Sequence, residues 1–525
     1  MAVTMRGRAR FTRRALLKTA SAAIAAVGGI ARPSLSFALD RPRITHGVQS
    51  GDVSDDAGVV WGRADRPSRM LVEVATSDSF RDVINGVFVD ALPESDFTAK
   101  ALIDGLPPGQ DIFYRVSFQD LSSAVFGEPQ IGRFRTPPND RRSISFLWSG
   151  DTMGQGWGID VARGGMRTYT AMRGNQPDFF IHCGDNIYAD CPIAPEQKLP
   201  DGSVWRNLVT EEKSKPAATL AEYRGNYKYN LLDDNLRAFN AAVPTLALWD
   251  NHEVMETWWP DEPLPGKPAG ENNTLIFAAR ARRAFHEYMP MREIMTEPGR
   301  VYRKMRYGPL LDVFMLDMRS YRGPDGPHAD RLYRPDDYLL GPAQLAWLKR
   351  ELAHSRATWK VIAADSPIGY VVDSANDPAD GPRGRGIEIA ELLAFIKHAG
   401  IRNTVWITAD LHYTAAHFYD PNRAAFQDFD PFWEFVSGPL HAGTWTPVSL
   451  DRTFGPQVAF HKAPTKAQGD NLAPCYGLQF FGHVAIDGAT GSLAVTLKDM
   501  EDRALWSKVL DPAPETPARM TMMSL

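Results

Sequence analysis

Four short apolar runs in this 525-residue chain stop abruptly in metal-ligand side chains. Ser143-Ile144-Ser145-Phe146-Leu147-Trp148 enters Ser149-Gly150-Asp151, and Asp178-Phe179-Phe180-Ile181-His182-Cys183 enters Gly184-Asp185. Thr245-Leu246-Ala247-Leu248-Trp249 enters Asp250-Asn251-His252-Glu253, and Thr404-Val405-Trp406-Ile407-Thr408-Ala409 enters Asp410-Leu411-His412. Runs of this length and composition read as buried strands. In open α/β sheets, sites gather beyond the carboxyl ends of the strands. One strand-end Asp often only caps a helix or closes a turn. Several carboxylates gathered without partners would repel one another and be costly to bury. Bound cations remove that cost. The pattern predicts an α/β domain built around a metal site.

The rest of the chain fits around that domain. Between residues 41 and 137 the apolar runs are short, β-branched and aromatic, as in Met70-Leu71-Val72-Glu73-Val74-Ala75 and Ile112-Phe113-Tyr114-Arg115-Val116-Ser117-Phe118. Turn residues separate them at the spacing of a β-sandwich. Leu106-Pro107-Pro108-Gly109 before an aromatic strand resembles a fibronectin type III corner, with Ile112 at the usual corner Tyr position and Tyr114 two residues on. Thr136-Pro137-Pro138-Asn139-Asp140 reads as a linker. From residue 141 to 511 apolar strands alternate with helical stretches, one of them around 387–399. The expected architecture is an N-terminal fibronectin III-like sandwich (41–137) and an α/β domain (141–511). A loose Pro- and Met-rich tail (512–525) follows.

Composition excludes several classes. Hydrophobic residues make up 44% and charged residues 23%, which is ordinary for a globular chain and unlike a collagenous, disordered or multi-span membrane protein. The charge is unevenly placed. Residues 1–38 carry seven basic side chains and no acid, with Thr12-Arg13-Arg14-Ala15-Leu16-Leu17-Lys18 before an apolar run from Ala20 to Ile30 and a small-x-small Ser36-Phe37-Ala38. That order reads as a cleaved export signal of the twin-arginine (Tat) type, handled by the Tat translocation machinery. Tat cargo often folds around a metal before crossing. The apolar run is too short to span a bilayer core of about 30 Å, so no stable transmembrane anchor is expected, and the mature protein would be periplasmic or secreted. Without residues 1–38 the chain has 51 Lys+Arg against 63 Asp+Glu, a net of −12, which argues against a nucleic-acid scaffold. Three cysteines cannot form a disulfide framework: Cys183 reads as a buried thiol, and Cys191 and Cys475 could pair in an exported protein.

Gly184-Asp185-Asn186-Ile187-Tyr188 is the most specific segment. An Asp at a strand end with Tyr three residues later lets both oxygens reach one ion. A phenol, with pKa about 10, ligates as phenolate at neutral pH only beside a strong Lewis acid such as Fe(III). The competing reading of Tyr188 is a packed aromatic whose hydroxyl bonds the loop.

Gly-Asp-x-x-Tyr, then Asn-His-Glu after a strand, then a strand-end x-His pair follow the order of the calcineurin-like metallophosphoesterases. Within that superfamily, Gly184 to Tyr188, Trp249-Asp250-Asn251-His252-Glu253-Val254, Leu316-Asp317-Met318-Arg319-Ser320-Tyr321-Arg322 and Ala409-Asp410-Leu411-His412 resemble the PhoD-like alkaline phosphatases. Those proteins also begin with a Tat signal and a small sandwich containing a stretch like His46 to Asp52. The resemblance implies two central β-sheets flanked by helices. Departures sort the ligands. The superfamily's Asp-x-His is Asp151-Thr152-Met153 here, and the final Gly-His-x-His is Ala409-Asp410-Leu411-His412. One site would then hold Asp151, Asp185, Tyr188 and His412, a set suited to Fe(III). A second would share Asp185 and add Asn251 and Asp410, oxygen ligands suited to a hard divalent cation. The resemblance names that cation as Ca²⁺.

The expected activity is hydrolysis of phosphate esters by a metal-activated hydroxide, with Asp185 and Asn251 positioning the metals and His252 protonating the leaving oxygen. Glu253 or Asp250 would orient His252. Arg319 and Arg322 would grip substrate phosphate, or else pair with Asp325 or Asp330. His417 is expected to pack, and His441 to rim the pocket. A phosphodiesterase or phospholipase D-like hydrolase on the same site is the alternative, with a non-catalytic binding protein further behind.

Overall fold

The computed structural model describes residues 41–514, except 257, 261, 263, 265–272, 324–337 and 372–384. The leader and the tail beyond residue 514 lie outside the described residues.

The apolar runs that carry the motifs form the middles of two large sheets. One has nine strands, in the order Ala504–Leu510, Leu493–Asp499, Phe480–Ile486, Ile144–Ser149, Phe179–Cys183, Thr245–Leu248, Ile44–Gly51, Gly58–Ala64 and Thr98–Ile103. The other has seven: Arg303–Tyr307, Leu311–Met315, Trp359–Ala363, Thr404–Thr408, Phe432–Val436, Thr414–Tyr419 and Pro456–Lys462. Phe179–Cys183 and Thr245–Leu248 are buried along their whole length, which is why they read as continuous apolar runs rather than alternating ones. The two sheets share one core: Leu147, Trp148 and Ile181 from the first join Val361, Ile407 and Phe435 from the second. Trp148 Nε1 donates to the Thr408 carbonyl at 3.2 Å, and Trp249 Nε1 to Asp317 Oδ1 at 2.9 Å, so the indoles that fill the space between sheets also satisfy their polar edges.

Register brings the motif ends level. Ile144–Ser149, Phe179–Cys183 and Thr245–Leu248 run parallel, with Ser149 opposite His182 and Leu248 opposite Cys183. Thr404–Thr408 runs parallel to Trp359–Ala363 in the facing sheet. All four polar clusters therefore leave their strands at one edge of the two-sheet core. Helices cover the outer faces. Gly341–His354 and Gly386–His398 bury Leu345, Leu348, Ile389 and Leu393 against the back of the seven-stranded sheet. Asp234–Ala242, capped by Asp233, lays Phe239 against Phe180 of the nine-stranded sheet.

Residues 41–137 form two facing sheets around a core of Val60, Met70, Val72, Ile112, Val116 and Phe134. The four-stranded sheet has the order Val83–Ala91, Ser68–Ala75, Asp111–Asp120, Gln130–Arg135. The three-stranded one is Ile44–Gly51, Gly58–Ala64 and Thr98–Ile103, and it continues the nine-stranded sheet through Gly51 opposite Thr245. Only glycine fits there: a Cβ on Gly51 would lie 2.3 Å from the Thr245 carbonyl oxygen. The next residue locks the junction. Asp52 is fully buried and accepts from Arg303 Nη2 at 2.7 Å and from the Arg292 amide at 2.9 Å. Tyr114 does not bond back near its own turn; its hydroxyl faces the Ala241 carbonyl at 3.5 Å, on the helix of the α/β part.

Candidate metal centre

Tight turns aim the four strand ends inward. Asp151, Asp185, Asp410 and His412 all take left-handed backbone angles, with φ of 60°, 52°, 65° and 56°. Such non-glycine residues cost roughly 1–3 kcal/mol each and persist where surrounding structure over-determines them. Glu253 supplies much of that determination. One carboxylate oxygen accepts from the Asp185 amide at 3.1 Å and the Asp250 amide at 2.7 Å. The other accepts from the Asn186 amide at 2.5 Å and its side-chain amide at 2.9 Å. One fully buried carboxylate thus ties the second motif loop to the third. Gly184, with φ of 104°, permits the close crossing: a Cβ there would sit 2.5 Å from Asp250 Cβ.

These turns gather ligand atoms of Asp151, Asp185 and His412 within 4.8 Å of one another, all buried. The Tyr188 hydroxyl lies 2.9 Å from His412 Nε2. The other nitrogen of that ring, Nδ1, meets the Gly443 carbonyl at 2.5 Å, so Nδ1 carries the hydrogen and Nε2 presents its lone pair to the cluster. Asp410 adds negative charge close to Asp151, and its Oδ2 accepts from Ser366 Oγ at 2.5 Å. Asn251 follows Asp250 in the turn, its amide donating to Asp250 Oδ1 at 2.8 Å.

Four oxygens of the site are left without donors. Asp151 Oδ2, Asp185 Oδ2, Asp250 Oδ2 and Asn251 Oδ1 are buried oxygens with no hydrogen-bond partner. Burial, then the neighbouring Asp410 and Asp250, push the Asp151 carboxyl well above the usual range. Burial likewise raises Asp185, against the opposing pull of His252. It also raises the Tyr188 phenol well above its ordinary value and lowers His412 to about 4. Acceptor oxygens without donors, packed with a lone-pair imidazole, fit metal ions.

His252 sits beside this cluster. Its amide donates to Asp185 Oδ1 at 3.1 Å, its ring stacks on Tyr188 at 4.4 Å between centroids, and its Nδ1 lies 2.7 Å from Asp190 Oδ1. Burial disfavours its charged form, but Asp185 and then Asp190 outweigh that and hold the ring well above its ordinary pKa. Neither acid proposed to orient His252 does so through the ring. Glu253 holds backbone amides, and Asp250 accepts from Arg319 Nε at 2.5 Å. Asp190 takes the orienting place. The sequence reading missed it, although it lies two residues past Tyr188 in the most specific segment.

Two further expectations change. The Arg319 side chain is drawn into the protein: its Nε bonds Asp250 and, at 3.1 Å, Asp365, an acid the sequence reading passed over. Among the described residues the acids paired with Arg319 are these; Asp325 and Asp330 lie outside the described residues. Arg322 is also buried. His441 does not rim a pocket: it is buried, with Nε2 facing the Gly158 carbonyl at 3.1 Å and its ring against Trp205. His417 packs in the seven-stranded sheet with Nδ1 at 3.1 Å from Glu434. Cys183 is buried, and Cys183, Cys191 and Cys475 are all free thiols.

A two-sheet α/β core with oxygen-rich turns at the parallel strand ends defines a metallophosphoesterase-type protein. Comparison with known proteins narrows this. The model of the PhoD-like phosphatases matches residues 146–497, and that of their N-terminal domain matches 29–138. The chain belongs to the PhoD-like phosphatase family. It is 28% identical to alkaline phosphatase D of Bacillus subtilis (strain 168) over 401 residues, 70% of this chain and 64% of that one, so it spans somewhat under two thirds of that relative. Its fold matches a solved structure of PhoD with a TM-score of 0.68 at 21% identity, over 89% of this chain and 90% of that one. It also matches the purple acid phosphatase PPD1 of yellow lupin (Lupinus luteus) seeds with a TM-score of 0.54 at 10% identity, over 90% and 74%. Among the described residues no helix is long and apolar enough to cross a membrane.

Proposed function

We propose that this chain is an exported, metal-dependent alkaline phosphatase that hydrolyses phosphate monoesters. The observation that carries the reading is the buried cluster of Asp151, Asp185 and His412, with unpartnered carboxylate oxygens beside a histidine nitrogen held ready to ligate, and further unpartnered oxygens on Asp250 and Asn251 in the adjoining turn. The relative from Bacillus subtilis, an alkaline phosphatase by name, supports the reaction class. Asp151, Asp185, Tyr188 and His412 would hold Fe(III); Asp185, Asn251 and Asp410 would hold Ca²⁺ or another hard divalent cation. When bound, such a pair lowers the pKa of water and polarises a phosphoryl oxygen.

The chain's own residues do the rest. Glu253 fixes the spacing of the Asp185 and Asp250 turns and so holds their oxygens in place in advance. Arg319 offsets the charge of Asp250 and Asp365 behind the site. Asp190 holds His252 at Nδ1 and Tyr188 stacks on its face, leaving Nε2 to give a proton to the departing alkoxide. Residues 41–137, read as a fibronectin III-like sandwich, would buttress the α/β part (141–511) through Asp52 and Arg303. The twin-arginine leader would deliver the folded, loaded protein to the periplasm or exterior.

Elemental analysis of the protein as purified, followed by hydrolysis of p-nitrophenyl phosphate and bis(p-nitrophenyl) phosphate with and without chelator, tests this. Expected are one iron and one calcium per chain and a faster, chelator-sensitive monoester reaction. Faster diester hydrolysis replaces the substrate assignment. Full activity after exhaustive chelation overturns the metal reading.

A further inference from the structure

At the Nδ1 side of His252 lies a second group of donors, which adds Cys191 to the Asp190–His252 pair. Asp190, Cys191 and His252 each offer a ligand atom, and the three lie within 4.8 Å of one another. Individually, Nδ1 is 2.7 Å from Asp190 Oδ1 and 3.9 Å from Cys191 Sγ. Asp190 and Cys191 are partly exposed, whereas His252 is buried, so the group opens to solvent on its carboxylate and thiol side. The carboxylate is already anchored, its Oδ2 accepting from the Glu256 amide at 2.8 Å.

We propose that Asp190, Cys191 and His252 form an inhibitory site for a thiophilic divalent cation such as Zn²⁺ or Cd²⁺. The geometry supports it. With Zn–S of about 2.3 Å and Zn–N of about 2.0–2.1 Å, a tetrahedral centre separates sulfur and nitrogen by roughly 3.6 Å. The present 3.9 Å spacing needs only a small contraction. The imidazole and carboxylate oxygen must open from 2.7 Å to make room, which a partly exposed Asp190 permits. Three protein ligands leave a fourth position for water. The donor set also explains selectivity: thiolate and imidazole favour Zn²⁺ or Cd²⁺, whereas the oxygen-rich cluster of Asp151, Asp185, Tyr188 and His412 favours harder cations. Binding forms S–metal, N–metal and O–metal bonds in place of the Cys191 S–H and His252 Nδ1–H bonds, and releases both protons to solvent. It also takes Nδ1 away from Asp190, removing the hydrogen bond that orients His252. The inhibitory half of this inference rests on the phosphatase reading; the binding half does not.

The experiment uses the full mature chain with its resident metals, titrated with Cd²⁺ and, separately, Zn²⁺. Wild type should show an ultraviolet Cd–thiolate charge-transfer band saturating at one equivalent, retained in Cys475→Ser and lost in Cys191→Ser. Zn²⁺ should inhibit p-nitrophenyl phosphate hydrolysis in wild type. In Cys191→Ser, which keeps basal activity, the half-inhibiting concentration should rise by tenfold or more. A band that persists in Cys191→Ser and vanishes in Cys475→Ser overturns the site. A correct band with equal inhibition of both proteins overturns the inhibitory role alone. If wild type shows no hydrolysis at all, the phosphatase reading fails while the band still decides the binding site.

Discussion

The Tyr188 hydroxyl and His412 Nε2 meet at 2.9 Å although 224 residues separate them, one from each of the two packed sheets' edges. Both point into a cluster in which Asp151 Oδ2 and Asp185 Oδ2 have no donor, so the contact marks where the phenol and the imidazole would share an ion. Tyr188→Phe deletes only the oxygen and leaves the ring stacked on His252. Expected are loss of a visible phenolate-to-iron band, weaker iron retention, and a fall in kcat of about 100-fold, at the upper end of what perturbing a metal's supporting groups costs. Absorption spectra and iron content of variant and wild type check this. An unchanged spectrum returns Tyr188 to a packing role.

Arg319 separates two buried acids, Asp250 and Asp365, and its own side chain is buried with them. Arg319→Met should destabilise the fold by about 3–5 kcal/mol, because it strands two carboxylates away from water. Adding Asp365→Asn should recover part of that loss, since the two positions share one network. Urea unfolding of both variants measures it. A residue that served only to bind substrate would instead raise KM and leave the unfolding midpoint unchanged.

How much of this was legible from sequence varies with the physics involved. The four strand ends were readable because parallel strands buried on both faces must be continuous apolar runs, and the ligands follow immediately in sequence. Strands such as Thr98–Ile103 and Gln130–Arg135 were not, since a sheet with one solvent-facing side mixes exposed and buried residues. The junction at Gly51 and Asp52 was invisible: its partners Thr245 and Arg303 lie far along the chain. Arg319 and His441 show the limit at the site itself. An Arg past a strand end and a His in a Gly-rich loop look available to substrate, and only the packed partners Asp250, Asp365 and Gly158 show where their polar atoms go. Asp190 lay inside the most specific segment, yet its role depends on a turn that folds it back onto His252.

His182 gives a pH signature apart from catalysis. It is buried beside Thr152, whose hydroxyl lies 2.5 Å from Nε2, and burial lowers its pKa from 6.5 to about 3. The ring is therefore neutral in the fold and protonates more readily in the unfolded chain. The unfolded state binds the extra proton below pH 6.5, so stability is complete above that value and declines as pH falls toward 3. The loss should be about 2 kcal/mol at pH 5. In metal-stripped protein, His182→Gln should show a shallower decline in unfolding free energy between pH 7 and 5 than wild type. Parallel declines would mean that His182 titrates alike in both states.

Metal removal should reveal the cost of the unpaired oxygens directly. Asp151, Asp185 and Asp410 crowd together with Asp250 behind them, and burial and mutual repulsion disfavour their charges. A cation that binds only the folded state stabilises it by mass action, by about 2.7 kcal/mol at a hundredfold excess over its Kd. Chelation should therefore lower the wild-type melting temperature by several degrees. Asp185→Asn should invert that pattern. Without metal it removes one charge from the crowded cluster and should melt above metal-free wild type by an amount worth about 1 kcal/mol. With metal it should gain little, because Asp185 is the oxygen donor assigned to both ions. Calorimetry of the two proteins in chelator and in excess iron and calcium separates these terms. If Asp185→Asn gains as much from metal as wild type does, the ions are not held by Asp185.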